Sequence, residues 1–317
     1  MPNLADTVAP AAPEYFNDPV MQRIVRLVAY MTPDRSDRPS VATGFIMERD
    51  GERFLISNYH VFTGLSPERR FLGHHPKVPA VIEIWNFGVP VADVYVGTDY
   101  LVHPDLRNSL CDIAAYNLSK AKDPEKGEPH QNFGRIFNRR VNALKLIAPL
   151  DAPYCAEDGV EMHRFVGDAF VPISRDATVF GYPGGIDFDS YAVGVNTKIA
   201  SSFYSPLPYF LVSGTTYKGC SGGPVVARSI GGYLALKLAR QEEFRRGWAS
   251  SYRVCHEEAT VPIVDQLIGI YSGRLLNLAE MNETGNEEGA GFIGKVWHWR
   301  LVKELLEMGI PDSTLGI

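Results

Sequence analysis

Between Ser213 and Val226 the chain reads Ser-Gly-Thr-Thr-Tyr-Lys-Gly-Cys-Ser-Gly-Gly-Pro-Val-Val, and no other segment restricts the possible folds as strongly. Three glycines and a proline between Gly219 and Pro224 exclude a helix there, because glycine loses too much backbone freedom and proline lacks the amide donor. The apolar pair Val225-Val226 reads as the beginning of a strand. The six residues therefore form a tight turn that feeds β-structure and presents one hydroxyl, that of Ser221, among backbone free of side chains. In such a turn the amides of Gly219 and Ser221 converge where a substrate carbonyl oxygen becomes negative, as an oxyanion hole requires. A serine hydroxyl alone is a weak nucleophile, so this reading asks for a base and for a group that orients the base. A plain glycine-rich hairpin turn is the other meaning of the same residues.

The stretch resembles the nucleophile loop of the chymotrypsin-like (trypsin-like) serine peptidases, Gly-x-Ser-Gly-Gly-Pro, in the form found in bacterial members without disulfides. That resemblance implies a His and then an Asp upstream, in that chain order. Val41 to Glu48, the turn Asp50-Gly51 and Arg53 to Ser57 read as a β-hairpin with an Asp-Gly turn. Its second strand runs into Asn58-Tyr59-His60, which places His60 at a strand end as the candidate base. A histidine there also has a purely structural reading. Downstream, Asp112 lies within the apolar run Leu110 to Tyr116, 52 residues after His60. A carboxylate buried in such a run must be paired, so Asp112 is the candidate orienting group. Capping of local amides is its alternative role, and Asp105, after His103-Pro104, reads as an exposed turn acid. Cys220 is the competing nucleophile, because viral relatives of this fold use Cys. Those relatives place Gly directly after it, where this chain has Ser221.

By that resemblance the fold is all-β: two six-stranded, mainly antiparallel β-barrels with a C-terminal helix and the active site in the cleft between them. Residues 1–14 read as a mobile tail, 15–140 as the first barrel with His60 and Asp112, and 141–317 as the second with Ser221. Aromatic content of 11%, 29 Gly and 22 Pro fit many short strands joined by turns better than a helical bundle. Strands are expected at 81–85, 89–96, 177–181, 191–199, 209–213 and 267–273, and apolar spacing predicts a helix over 296–308 on the second barrel. The segment 120–140 reads as a polar connection. An insertion, 227–266, holds a helical stretch at 233–246; a solvated helix is its plain meaning and a partner-docking loop its sharper one.

The resemblance also locates a substrate pocket, with Thr215 and Thr216 as floor and Tyr271, Ser272 and Gly273 as one wall. None of these carries the carboxylate that a Lys or Arg side chain would need. A small polar floor for small or apolar side chains is the favoured reading. In the alternative, the hydroxyls of Thr216, Ser272 and Tyr271, helped by Lys218 or Arg274, hold an acidic side chain. That alternative resembles the bacterial glutamyl endopeptidases, which carry His where Tyr271 stands.

A net charge of −6 without long single-sign runs argues against nucleic acid or an anionic membrane as partner. The N-terminal stretch lacks the apolar centre of a secretory signal, and no run reaches the roughly 18 apolar residues of a membrane span. The four cysteines, Cys111, Cys155, Cys220 and Cys255, show no paired spacing and suit reduced thiols in a cytoplasmic protein. No histidine spacing suggests a metal, and the resemblance implies neither metal nor organic cofactor. The expected activity is that of a serine endopeptidase on protein or peptide substrates. A catalytically silent barrel pair that binds a protein partner is the rival from another class.

Overall fold

The computed structural model describes residues 23–121 (except 76, 87, 96, 98 and 99), 144–145, 173–183, 192–202, 206–214, 216–229, 264–275 and 293–312. The expected tail 1–14, the helical stretch 233–246 and Thr215 lie outside these residues, as does most of the connection 120–140 and of the insertion 227–266.

The first half is built on β1 (Ile24–Tyr30), β2 (Ser40–Arg49) and β3 (Glu52–Ser57). Between β2 and β3, Asp50 and Gly51 have φ of 53° and 80°. Two consecutive left-handed residues form the hairpin turn whose twist matches the flanking strands, and Asp-Gly accepts that conformation at low cost. Directly after β3 the chain enters α1 (Tyr59–Thr63), followed by α2 (Pro67–Phe71), β4 (Val81–Asn86), β5 (Val89–Val94), β6 (Leu101–Val102), α3 (Leu106–Ser109) and β7 (Ala114–Asn117).

Two later segments join this first sheet. β8 (Leu144–Lys145) lies parallel to β2 at Met47 and Glu48, and β15 (Ile310–Pro311) pairs with β6. The strand order is β15-β6-β7-β3-β2-β1-β4-β5, and no pairing joins β5 to β6 among the described residues. The boundary at residue 140 is crossed twice, because backbone hydrogen bonding assigns 144–145 and 310–311 to the first sheet.

The second half closes completely. β9 (Asp176–Gly181), β10 (Val193–Ile199), β11 (Tyr209–Ser213), β12 (Pro224–Ser229), β13 (Val264–Arg274) and β14 (Ile293–His298) form a barrel in the order β10-β11-β14-β13-β12-β9. The helix expected from Val296 begins three residues later, as α4 (Trp299–Met308). Val296 and Trp297 are spent on β14, whose register opposite β11 and β13 gives both its edges ladder partners. The architecture is mostly β with a C-terminal helix, one six-stranded barrel and a second, larger sheet.

On α4, Leu301, Val302, Leu305 and Leu306 are buried. They pack into the core of the first sheet, with Leu55, Tyr59, Phe62 and Val102, and also meet Leu267, Ile270 and Trp297 of the barrel. Burying each such side chain contributes about 2 kcal/mol. The helix therefore lies against both halves and not on the second barrel alone.

Candidate active site

His60 sits in the first turn of α1, not on a strand end as the hairpin suggested; Asn58 leaves β3 in extended conformation (φ −71°, ψ 149°) and starts the helix. This short helix turns the imidazole back towards the segment before β7. There Asp112, buried, receives His60 Nδ1 at Oδ2 (2.7 Å) and the His60 backbone amide at Oδ1 (3.0 Å). Asn58 Nδ2 donates to the Asp112 carbonyl at 2.7 Å. Two side chains and one amide from the start of a single helix thus grip one aspartate.

The imidazole is still 32% exposed at its side chain. Its burial disfavours the charged form, but the Asp112 charge and hydrogen bond outweigh that, so the His60 pKa is raised above its ordinary value. Asp105, the other candidate acid, binds Asn108 Nδ2 on the surface at 2.6 Å.

Ser221 stands on the turn between β11 and β12. Gly219 and Gly222 adopt φ of 100° and 84°, in the left-handed half of backbone space. A Cβ on Gly222 would overlap Ser57 Oγ and the Thr43 carbonyl, and one on Gly223 would overlap the Phe180 carbonyl. Close approach thus requires Gly222 and Gly223, directly after the serine, while Gly219 before it is favoured by its φ. Among the described residues no acceptor takes the Gly219 or Ser221 amide, whereas Cys220, Gly222 and Gly223 donate to Tyr217, Tyr271 and Cys220 respectively. Two amides flanking Cys220 are thus left available for a ligand oxygen.

Ser221 Oγ donates to the carbonyl of Ser272 at 3.3 Å. Ser272 in turn donates from its own hydroxyl to Asp112 Oδ2 at 2.6 Å. One β13 residue therefore touches both the aspartate and the serine, and brings the loop carrying Ser221 up to the His60–Asp112 pair. The family resemblance placed Ser272 only in the pocket wall, and its bond to Asp112 had no signal in the sequence. Cys220 points into the barrel core, fully buried, and burial raises its thiol pKa. This is an environment opposite to that of a reactive thiolate.

Of the pocket residues, Thr216 and Tyr271 are both buried and share a hydrogen bond between hydroxyls. Gly273 has φ 146° and open space where a Cβ would stand. Arg274, just beyond it, reaches across to the Thr216 carbonyl through Nε (2.9 Å) and Nη2. The wall and the floor are thereby laced together by a guanidinium. No described group of three or more His, Cys, Asp or Glu side chains is placed to hold a metal ion.

Thr43 is legible in the sequence only as part of the Thr-Gly-Phe strand of the family layout, with no role of its own. It is fully buried where the two halves meet, and bonds to both Gly219 and Ser221.

No known protein family and no curated protein matches the sequence. Three of the solved structures to which the chain is similar are proteases. The active form of the Rv3671c protease of Mycobacterium tuberculosis shares 14% identity at a TM-score of 0.41, over 91% of this chain and 81% of that one. The serine endoprotease of Yersinia pestis shares 13% at a TM-score of 0.45, over 94% of this chain and 67% of that one. The HtrA-type protease AlgW with a tripeptide shares 15% at a TM-score of 0.42, and the chain spans 60% of its length.

Proposed function

We propose that this chain is a serine endopeptidase acting through Ser221, His60 and Asp112. The observation that supports this most directly is the Asp112 carboxylate held on His60 Nδ1 at 2.7 Å. That contact assigns the proton to Nδ1 and frees Nε2 as a base. Ser221 first turns from the Ser272 carbonyl towards Nε2; catalytic hydrogen bonds commonly tighten only once substrate is present. As Oγ bonds to the carbonyl carbon of a peptide, its proton passes to Nε2. The carbonyl electron pair moves to oxygen, where the Gly219 and Ser221 amides receive it. The C–N bond then breaks, and the imidazolium returns the proton to the departing amine. Water repeats the sequence on the acyl-enzyme, which releases the carboxylic acid and restores Ser221.

The pocket lacks a carboxylate among its described residues and carries Arg274 on its wall, so side chains of Lys and Arg are excluded by charge. A short or apolar side chain suits a pocket in which the hydroxyl of Thr216 on the floor already bonds that of Tyr271 on the wall.

The rival reading, a silent fold that binds a protein partner, is favoured by one observation: Ser221 Oγ donates to Ser272 and not to His60. A fluorophosphonate probe separates the two. Folded wild-type protein becomes labelled at Ser221, identified by peptide mass, and Ser221→Ala is not labelled while melting at the same temperature. Folded wild-type protein that takes up no probe overturns the endopeptidase reading.

A further inference from the structure

We infer that Thr43 is the positioning residue of the oxyanion turn, an assignment that rests on the endopeptidase reading of that same site. Thr43 lies on β2, in the half of the molecule that does not carry the turn, and is completely buried. Its hydroxyl donates to the Gly219 carbonyl at 2.7 Å, and its backbone amide donates to the Ser221 carbonyl at 2.9 Å. The two carbonyls it holds belong to the two residues whose amides are left without protein acceptors. One residue therefore anchors the turn at both of them, through the peptide planes that adjoin the two amides.

The hydroxyl bond matters more than the amide bond. A backbone amide remains whatever side chain replaces Thr43, but only the hydroxyl holds Gly219. Gly219, at φ 100°, has no Cβ to resist rotation of its neighbouring peptide planes. Its carbonyl shares a peptide plane with the Cys220 amide, which donates to Tyr217 at 3.2 Å. Without the Thr43 hydroxyl that plane keeps one bond of two, and the looser turn lets the Gly219 amide leave the position that the oxyanion needs. Oxyanion donors act through preorganisation, so a loosened donor loses most of its effect on the chemical step while substrate binding persists.

Thr43 is itself held on its remaining sides. The Tyr182 amide donates to its Oγ1 at 3.0 Å, which commits the hydroxyl proton to Gly219. Ser57 Oγ donates to its carbonyl at 2.7 Å. Gly181 and Gly222 supply the closeness, since a Cβ at either would press on Thr43 atoms. Ser57 lies three residues before His60 on the same strand-to-helix passage. The base and the oxyanion turn are therefore referenced to one point.

The test compares Thr43→Val, which keeps the shape and loses the hydroxyl, with Thr43→Ser, which keeps the hydroxyl. Each variant is assayed for melting temperature, for the rate of fluorophosphonate labelling at Ser221, and for kcat and KM on a peptide cleaved by the wild type. In folded Thr43→Val, kcat and labelling rate fall about 10- to 100-fold, below the loss for complete removal of an oxyanion donor. KM stays within about threefold, since the pocket is untouched. Thr43→Ser recovers most of both rates. If Thr43→Val does not fold, Thr43→Cys replaces it, since a thiol is a far weaker donor than a hydroxyl. A folded Val or Cys variant that labels as fast as wild type overturns the assignment, and so does a Ser variant as impaired as Val. Wild-type protein that does not label at all overturns the endopeptidase reading, which separates the two failures.

Discussion

Four hydrogen bonds converge on Asp112, and three of them come from the segment Asn58 to His60. Among the described residues no guanidinium or ammonium reaches the buried carboxylate, so one backbone amide, a hydroxyl and an imidazole supply its stabilisation, while Asn58 holds the backbone carbonyl. The charge is most useful to its neighbour, because it is what raises the His60 pKa against the effect of burial. The direction sets a pH dependence. A base must be unprotonated to accept the Ser221 proton, so hydrolysis falls as pH drops through the His60 pKa. That midpoint stands above the roughly 6.5 of a free imidazole. In Asp112→Asn the two larger raising influences are gone while burial and the smaller effect of the Glu68 charge remain, so the His60 titration followed by imidazole proton NMR moves down. The same substitution leaves the imidazole without its orienting carboxylate, and kcat falls by about 10⁴. An unchanged His60 titration in Asp112→Asn would show that Asp112 does not govern the base.

At the scale of elements, the passage from α4 through β15 to Asp312 has the largest leverage. Asp312 is buried against Arg70 of α2, which bonds both its oxygens at 2.7 and 2.6 Å, and against Tyr100 OH at 2.5 Å. Arg70 also bonds Tyr59 OH, next in chain to His60. Burial and the bond to Asp312 raise the Tyr100 pKa, so the phenol stays a donor. Asp312→Ala leaves the Arg70 guanidinium buried without its partner, at a cost of about 3–5 kcal/mol. The exposed pair Lys303–Glu307 on α4 is worth about 0.3–0.5 kcal/mol. The shift in urea midpoint caused by Asp312→Ala should therefore exceed that caused by Lys303→Ala severalfold, and equal small shifts would remove Asp312 from the core.

The same elements mark what can be read from sequence. The Asp50-Gly51 hairpin was legible because its signal is confined to adjacent residues whose φ values the turn dictates. The loop Gly219 to Pro224 was legible for the same reason. The start of α4 was misplaced by three residues because Val296 and Trp297 continue its apolar spacing while serving β14. Helix propensity yields there to the strand ladder. The grip of Arg70 on Asp312, across 242 positions, and of Thr43 on Gly219, across 176, leaves no local period at all.

For the whole molecule, the consequence is that the two halves are not independent. The core of the first sheet includes Leu301, Val302, Leu305 and Leu306, and its terminal strand is β15. A fragment ending near residue 150 keeps the Asp-Gly hairpin and most strands but exposes the apolar surface that α4 covers. Such a fragment should lack the dispersed methyl and amide proton resonances of a packed core, and the intact chain should unfold in one transition. A fragment with native-like dispersion would show the first sheet to be self-sufficient.

Asp312 stands only five residues from the last position of the sequence given, yet it completes the packing beneath Tyr59, beside His60. Chains leave the ribosome amino end first, and their early parts fold as they emerge. Here the early part emerges without Asp312, so Arg70 of α2 and Tyr100 await the carboxylate that joins them. The packing beneath Tyr59 is thereby completed only once the segment after α4 has emerged, so the first sheet waits for the end of the second half before it is fully held.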